Sequence, residues 1–312
     1  MRYARPLRLI VGETVGEIVG EPKKKTMDFS TERLHRRCIQ VRSEYKASAN
    51  WEQWFLLTAD QHFDSVKCDR QLLKKHHKKA VERRAGIFSF GDTFDVMQGK
   101  KDRRGSKDDV RPEYQGGNYY DRVINDAADW YSQYAPNYIL KSYGNHETAI
   151  LKHQETDVLK RLVEKLNGRG GNIELGAYSG WVVFRFSYLG DRTRTIRLFY
   201  HHGYGGGGPV TKGTIQTNRR AVYLPDADLI VTGHIHESWK LETMQERIKR
   251  NGTPYLATQV HLQLPTYKEE YMAGKGWHVE RGAPPKPTGG AWLRFYFDGS
   301  DDSVKYEIIR AR

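Results

Sequence analysis

Along the chain the apolar positions fall into short runs that stop abruptly at polar residues. Trp54–Ala59, Gly86–Phe90, Tyr138–Ser142, Ile196–Tyr200 and Leu229–Thr232 have the length and composition of buried strands. Between them the spacing changes to that of helices, over Arg70–Arg84, Tyr120–Tyr134 and Thr156–Leu166. Strands alternating with helices predict a layered α/β domain. The pattern then turns to strands: Trp181–Tyr188, Pro254–Val260, Ala291–Phe297 and Val304–Ile309, with Asp298-Gly299-Ser300 as a hairpin turn between the last two. Residues 264–290 are rich in Pro and Gly and read as a long surface loop.

The first fifty residues differ. A Val-Gly-Glu unit recurs every fourth residue at Val11, Val15 and Val19, and Pro22 and Lys23-Lys24-Lys25 break it. Glycine at that period costs a helix about 1 kcal/mol per residue. We therefore read an irregular N-terminal extension over 1–50, with Cys38–Val41 as its first ordered strand, followed by one domain over 51–312. An insertion over about 97–120 interrupts that domain.

Composition narrows the class. The 312 residues are 38% hydrophobic and 29% charged, with no run near the roughly 18 apolar residues of a membrane helix. Met1–Val11 is too short for a signal peptide, and Cys38 and Cys68 are too few for a disulfide scaffold. A cytoplasmic protein without a membrane association is expected. Lys and Arg exceed Asp and Glu by 51 to 38, a net charge of +13, which attracts polyanions.

Each of the five early strands ends in groups that bind metals. Asp60-Gln61-His62 follows the first, and Gly91-Asp92-Thr93-Phe94-Asp95 the second. Gly144-Asn145-His146-Glu147 follows the third, His201-His202-Gly203 the fourth and Gly233-His234-Ile235-His236 the fifth. Ligands in α/β sheets collect at the carboxyl ends of strands, so the five ends predict one shared site. Carboxylate and imidazole donors together suit Mn, Fe, Zn, Co or Ni. Two such ions roughly 3.5–4 Å apart clamp phosphate oxygens and activate water. If the backbone stays extended, Asp60 and His62 share one strand face, as do His234 and His236.

The order DxH, GDxxD, GNHE, HG, GHxH, from Asp60 to His236, resembles the calcineurin-like metallophosphoesterases. The resemblance spans a little over half the chain. It implies a four-layer α/β/β/α sandwich of two mixed sheets with the dimetal site at strand ends. It further implies that Asp60, His62 and His236 hold one divalent ion, and Asn145, His202 and His234 the other, with Asp92 bridging. Manganese is the first expectation for both ions, and the implied reaction is phosphoester hydrolysis by metal-bound hydroxide. His146 would protonate or steady the leaving oxygen. His202, immediately before the glycine, fits the family position better than His201. Asp95 reads as a supporting or loop-capping residue.

Two departures bear on the substrate. Val96 and Tyr143 stand where the serine/threonine protein phosphatases of this superfamily carry arginines, which argues against that activity. The insertion places Lys100, Lys101, Arg103 and Arg104 near Arg111, Tyr114, Tyr119 and Tyr120. Basic residues interleaved with aromatics suit nucleic acid; the alternative is a charged insertion packed by its tyrosines. Gly205–Gly208 either brings backbone amides to a phosphate or keeps a loop mobile. His76, His77, Lys78 and Lys79 read as a solvated helix face, and His261 as either a site residue or a structural one. Three functions stay open: a phosphodiesterase or nuclease acting on nucleic acid, a small-molecule phosphomonoesterase or nucleotide pyrophosphatase, and a scaffold without metals.

Overall fold

The computed structural model describes residues 27–96, 109–188, 192–208, 210–275 and 277–311. The Val-Gly-Glu repeat and the basic run Lys100, Lys101, Arg103 and Arg104 lie outside them. In chain order the elements begin β1 (Ser30–His35), β2 (Cys38–Glu44), β3 (Glu52–Thr58), α1 (Arg70–Glu82), β4 (Gly86–Phe90) and α2 (Tyr119–Ser132). They continue with β5 (Tyr138–Ser142), α3 (Asn145–Gln154), α4 (Val158–Asn167), β6 (Glu174–Gly176), β7 (Ser179–Tyr188) and β8 (Arg192–His201). The last are α5 (Ile215–Tyr223), β9 (Leu229–Thr232), β10 (Trp239–Ile248), β11 (Pro254–Gln263), α6 (Trp277–Glu280), β12 (Gly290–Asp298) and β13 (Ser303–Ala311).

Two mixed sheets face each other. One has the order β13-β12-β3-β4-β5-β6, the other β1-β2-β7-β8-β9-β11-β10. The period-two alternation of strands sorts the core. Phe55, Leu57, Phe88 and Phe90 point between the sheets, against Phe184, Phe186, Leu198 and Val231. Leu56 and Ile87 point the other way, against Leu73 and Ala80 of α1, Val123 and Ala127 of α2, and Leu162 of α4. Outside the second sheet, Phe199 and Ile230 meet Leu224 and Ala227 at the end of α5. These layers make the four-layer α/β/β/α sandwich. None of the described helices is long and apolar enough to cross a membrane.

The structure departs from the sequence reading in several places. β1 and β2 lie within the stretch read as an extension, yet β2 pairs with β7 over seven residues and so joins the larger sheet. β10 alternates half-buried and exposed positions, a two-faced edge strand whose polar composition hid it. The surface loop expected over 264–290 starts inside: Leu264, Thr266 and Tyr267 are fully buried. The solvated face expected for α1 holds only for Lys78 and Lys79, because His76 and His77 are buried. In the insertion, Tyr114 is buried against Arg70 and Asp126, and the Tyr119 hydroxyl donates to Asp64 at 2.8 Å. Tyr114 thus packs inward, while Tyr119 stays half-buried with its hydroxyl held by Asp64.

His77 is held neutral by geometry. Its Nδ1–H donates to the Leu73 carbonyl at 2.7 Å, and its Nε2 accepts from the Tyr138 hydroxyl at 2.7 Å. Burial drives its pKa down to about 3, against an ordinary value of 6.5. The folded state thus binds the proton more weakly than the unfolded chain. The stability His77 contributes is complete above pH 6.5 and is lost as pH falls towards 3. Urea unfolding between pH 7 and 5 is expected to show a stability loss approaching 1.4 kcal/mol per pH unit from this one group. His77→Leu should flatten that slope even if it lowers stability throughout. An unchanged slope would show that His77 titrates normally.

Candidate metal centre

All five motifs reach the same end of the sandwich. Asp60 and His62 follow β3, and Asp92 and Asp95 follow β4. Asn145 opens α3, while His202 follows β8, and His234 and His236 follow β9. The backbone there is not extended, contrary to the sequence expectation. Asp60, His62, Asp92, His234 and His236 have φ of 51°, 46°, 51°, 74° and 55°. They are five of the eleven non-glycine residues with positive φ among the described residues, so the strain concentrates at this site. Each such conformation costs on the order of 1–3 kcal/mol and persists only where the surroundings enforce it.

The donors form overlapping groups. Single donor atoms of Asp60, His62 and His236 lie within 4.8 Å of one another, as do those of Asp92, His202 and His234. Within the first group the Nε2 atoms of His62 and His236 are 3.3 Å apart, and His236 Nε2 is 3.3 Å from Asp60 Oδ1. Within the second, His202 Nε2 lies 3.0 Å from Asp92 Oδ2 and 3.0 Å from Asn145 Oδ1. His234 Nδ1 lies 2.7 Å from that same Asn145 oxygen. Asp92 also joins His62 and His146 in a third group, so its carboxylate faces both sides. Imidazole nitrogens and carboxylate oxygens converging in this way fit two divalent cations. His201 faces away from this set; its Nδ1 accepts from the Gly203 amide at 2.9 Å.

Electrostatics favour cations here. Burial opposes charge on Asp92, yet His202 and His146 hold its carboxyl well below the ordinary range. Burial likewise opposes protonation of His202, but Asp92 and Asp60 push it up to about 10. The Asp60 Oδ1 atom is buried, and among the described residues it accepts no well-aligned hydrogen bond. The buried carboxylates of Asp60 and Asp92 face the same imidazoles and so favour positive charge between them.

The glycines of the motifs are steric requirements. A Cβ on Gly144 would stand 2.0 Å from Asp92 Oδ1, and one on Gly91 would stand 2.3 Å from His202 Nδ1. Each gap lets a ligand from another motif approach the backbone. Glu147 completes the frame: its carboxylate accepts from the amides of Gly144 at 2.9 Å, Phe94 at 3.0 Å and Asp92 at 3.2 Å.

Behind the donors stands a buried relay that the sequence did not reveal. Asp95 Oδ1 lies 2.9 Å from His62 Nδ1, and Lys268 Nζ lies 3.1 and 3.2 Å from the two Asp95 oxygens. Burial keeps His62 below the ordinary imidazole value against the pull of Asp95. A neutral ring that keeps its proton on Nδ1, towards Asp95, would leave its Nε2 lone pair for a metal ion. Glu270 reaches Lys268 at 3.5 Å and His236 Nδ1 at 3.8 Å. Asp95 thus contacts His62 from behind, and Lys268 and Glu270 extend that contact from the far end of the chain. Their stretch has no periodic pattern, so only the tertiary structure assigns them. His261 stays on the α5 side of β11, since its neighbours Val260 and Leu262 face the inter-sheet core. Burial and then Arg220 lower its pKa to about 4.

Lys268→Ala should free Asp95 and loosen His62. Calorimetric titration with Mn2+ is expected to show metal affinity weakened roughly 10- to 100-fold, the usual loss when an outer partner of a ligand is removed. Wild-type affinity in the variant would reduce Lys268 to packing.

No family model matches the chain, and no curated protein matches it in sequence. Solved structures that are similar to it include a conserved uncharacterized protein, a predicted phosphoesterase, from Streptococcus pneumoniae. It is 11% identical, with 84% of this chain and 92% of that chain covered and a TM-score of 0.31. Vps29 complexed with zinc from Entamoeba histolytica is 11% identical over 83% of this chain and 100% of its own, with a TM-score of 0.32. The calcineurin-like phosphoesterase YfkN from Bacillus subtilis is 13% identical over 83% of this chain and 91% of its own, with a TM-score of 0.34. The five motifs, whose order resembles that of the calcineurin-like metallophosphoesterases, thus meet at one end of two facing sheets, where three groups of donors could hold metal ions and two of the groups share Asp92.

Proposed function

We propose that the protein is a metal-dependent phosphoester hydrolase with two divalent ions, and that its substrate is a phosphodiester of nucleic acid. The observation that carries the first part is the sharing of Asp92 between donor groups drawn from all five strand ends. Asp60, His62 and His236 would hold one ion, and Asn145, His202 and His234 the other. Such a pair supplies Lewis-acid polarisation of phosphoryl oxygens and an activated water for in-line attack.

The protein's own groups do the rest. His146 donates from Nδ1 to the Asp95 carbonyl at 2.6 Å, which leaves Nε2 as the atom that carries a transferable proton. Burial opposes a charge on this ring, but Asp92 and Asp95 raise its pKa above the ordinary value. Its side chain is 13% exposed against 2% for Asp92, so it lies on the open side of the site. A protonated imidazole there can neutralise a departing alkoxide. It also sits close enough to His62 and Asp92 to bind a metal itself, and mutation separates the two roles.

Two observations support the diester reading over the protein phosphatases. Val96 is a buried apolar residue, and Tyr143 spends its hydroxyl on Asp157, so neither position offers a guanidinium to a phosphate monoester. The +13 charge supports a polyanionic substrate. The direct test is purified protein with manganese against labelled single- and double-stranded DNA, RNA, and bis- and mono-p-nitrophenyl phosphate. Cleavage of a polynucleotide and of the aryl diester is expected. Turnover of the monoester or of nucleotides alone would favour a small-molecule phosphatase or pyrophosphatase.

Asp92→Asn should weaken both ions and abolish turnover, measured by metal analysis and by hydrolysis of the aryl diester. His146→Ala should keep both ions and slow polynucleotide cleavage by roughly 10² to 10⁴, with a smaller loss on aryl esters whose leaving group needs no proton. Loss of an ion in His146→Ala would make His146 a ligand. Full activity in Asp92→Asn would remove the shared carboxylate from the account.

A further inference from the structure

One side of α1 carries Lys74, Lys75, Lys78 and Lys79, all exposed. With Arg83 and with Arg310 of β13 they line an open groove of about 730 Å³ between the helix and the edge of the six-stranded sheet. Among the described residues Glu82 is the one acidic residue lining it, and Lys79 already pairs with it at 2.9 Å. The floor is fixed. Trp292 is buried there, and the Arg83 guanidinium lies 4.6 Å from the centre of its ring.

Buried hydrogen bonds through Tyr267 tie the floor of the groove to the loop that carries Asp60. His76, buried in its floor, meets the Tyr267 hydroxyl at 2.9 Å. The Tyr267 backbone amide in turn donates to the carbonyl of the ligand Asp60 at 2.9 Å, and its carbonyl accepts from Asp69, the N-cap of α1, at 2.8 Å. The basic helix is therefore anchored at its first turn to the loop that carries Asp60 and His62.

We propose that this groove is the track on which the sugar–phosphate backbone of a nucleic-acid substrate lies outside the metal centre. This rests on the nucleic-acid reading above and adds where the polymer runs. From Lys74 to Arg83 the helix advances about 14 Å. Duplex DNA carries roughly eight phosphate charges over that length. Six cationic side chains against one paired carboxylate suit such a line of charge. Small-ligand sites instead enclose most of their ligand, which an open groove walled by flexible lysines does not. Trp292 is too buried to stack on a base, so the contact is to backbone and independent of sequence.

The test compares two variants that lose the same four charges. One carries Lys74→Ala, Lys75→Ala, Lys78→Ala and Lys79→Ala. The other carries Lys152→Ala, Lys160→Ala, Lys165→Ala and Lys240→Ala, at exposed positions away from the groove. Circular dichroism and manganese content check that both fold and load metal. Binding of a fluorescent single-stranded DNA is then measured across a salt series. In the groove variant the slope of log K against log salt should shrink by about two to three, from three or four lost phosphate contacts at about 0.7 each. In the control it should stay near the wild-type slope. Equal slopes in the two variants would overturn the groove while leaving the nucleic-acid reading intact. A wild-type protein that neither binds nor cleaves any polynucleotide would overturn both.

Discussion

Everything at the site is arranged around the carboxylate of Asp92, which is buried, ionised and within reach of donors from both groups. A buried carboxylate is costly unless positive charge balances it. The structure meets that requirement with imidazoles from four different motifs and with glycines that let them approach. The left-handed conformations at Asp60, His62, Asp92, His234 and His236 belong to the same bargain. They turn the chain sharply at the strand ends so that short side chains converge from five directions. Two packed sheets are what make those turns tolerable, because β3, β4, β8 and β9 are fixed by a core of interlocking aromatic residues.

Support for the donors comes from far along the chain. Lys268 lies more than thirty residues beyond the last motif, yet it grips Asp95, which orients His62. Tyr267 next to it touches both Asp60 and α1. The stretch from Leu264 to Glu270 therefore works as a buried strap that ties the first motif to the basic helix. Changes in this strap should reach metal affinity and substrate binding together.

Much of the fold and nearly all donor residues were legible in the sequence, because strands buried on both faces leave continuous apolar runs and metal chemistry restricts the residue types that can follow them. What escaped has physical reasons. α3 begins inside a motif, so Asn145 and His146 masked its helical start. β10 is polar on alternate positions and lacks a strong apolar signal. His76 and His77 sit among lysines in sequence, and only the packing of α1 shows that they turn inward. Lys268 was hidden because a buried lysine has no local signature; its partner is 173 residues away. The extended geometry expected for the Asp-x-His and His-x-His pairs failed because strain, not strand alternation, aims those side chains.

The most direct measurement is anomalous diffraction from crystals grown with manganese. The account predicts two peaks per chain, roughly 3.5–4 Å apart, with the Asp92 carboxylate between them. One should fall among Asp60, His62 and His236, the other among Asn145, His202 and His234. A single peak, or ions bound away from Asp92, would contradict it.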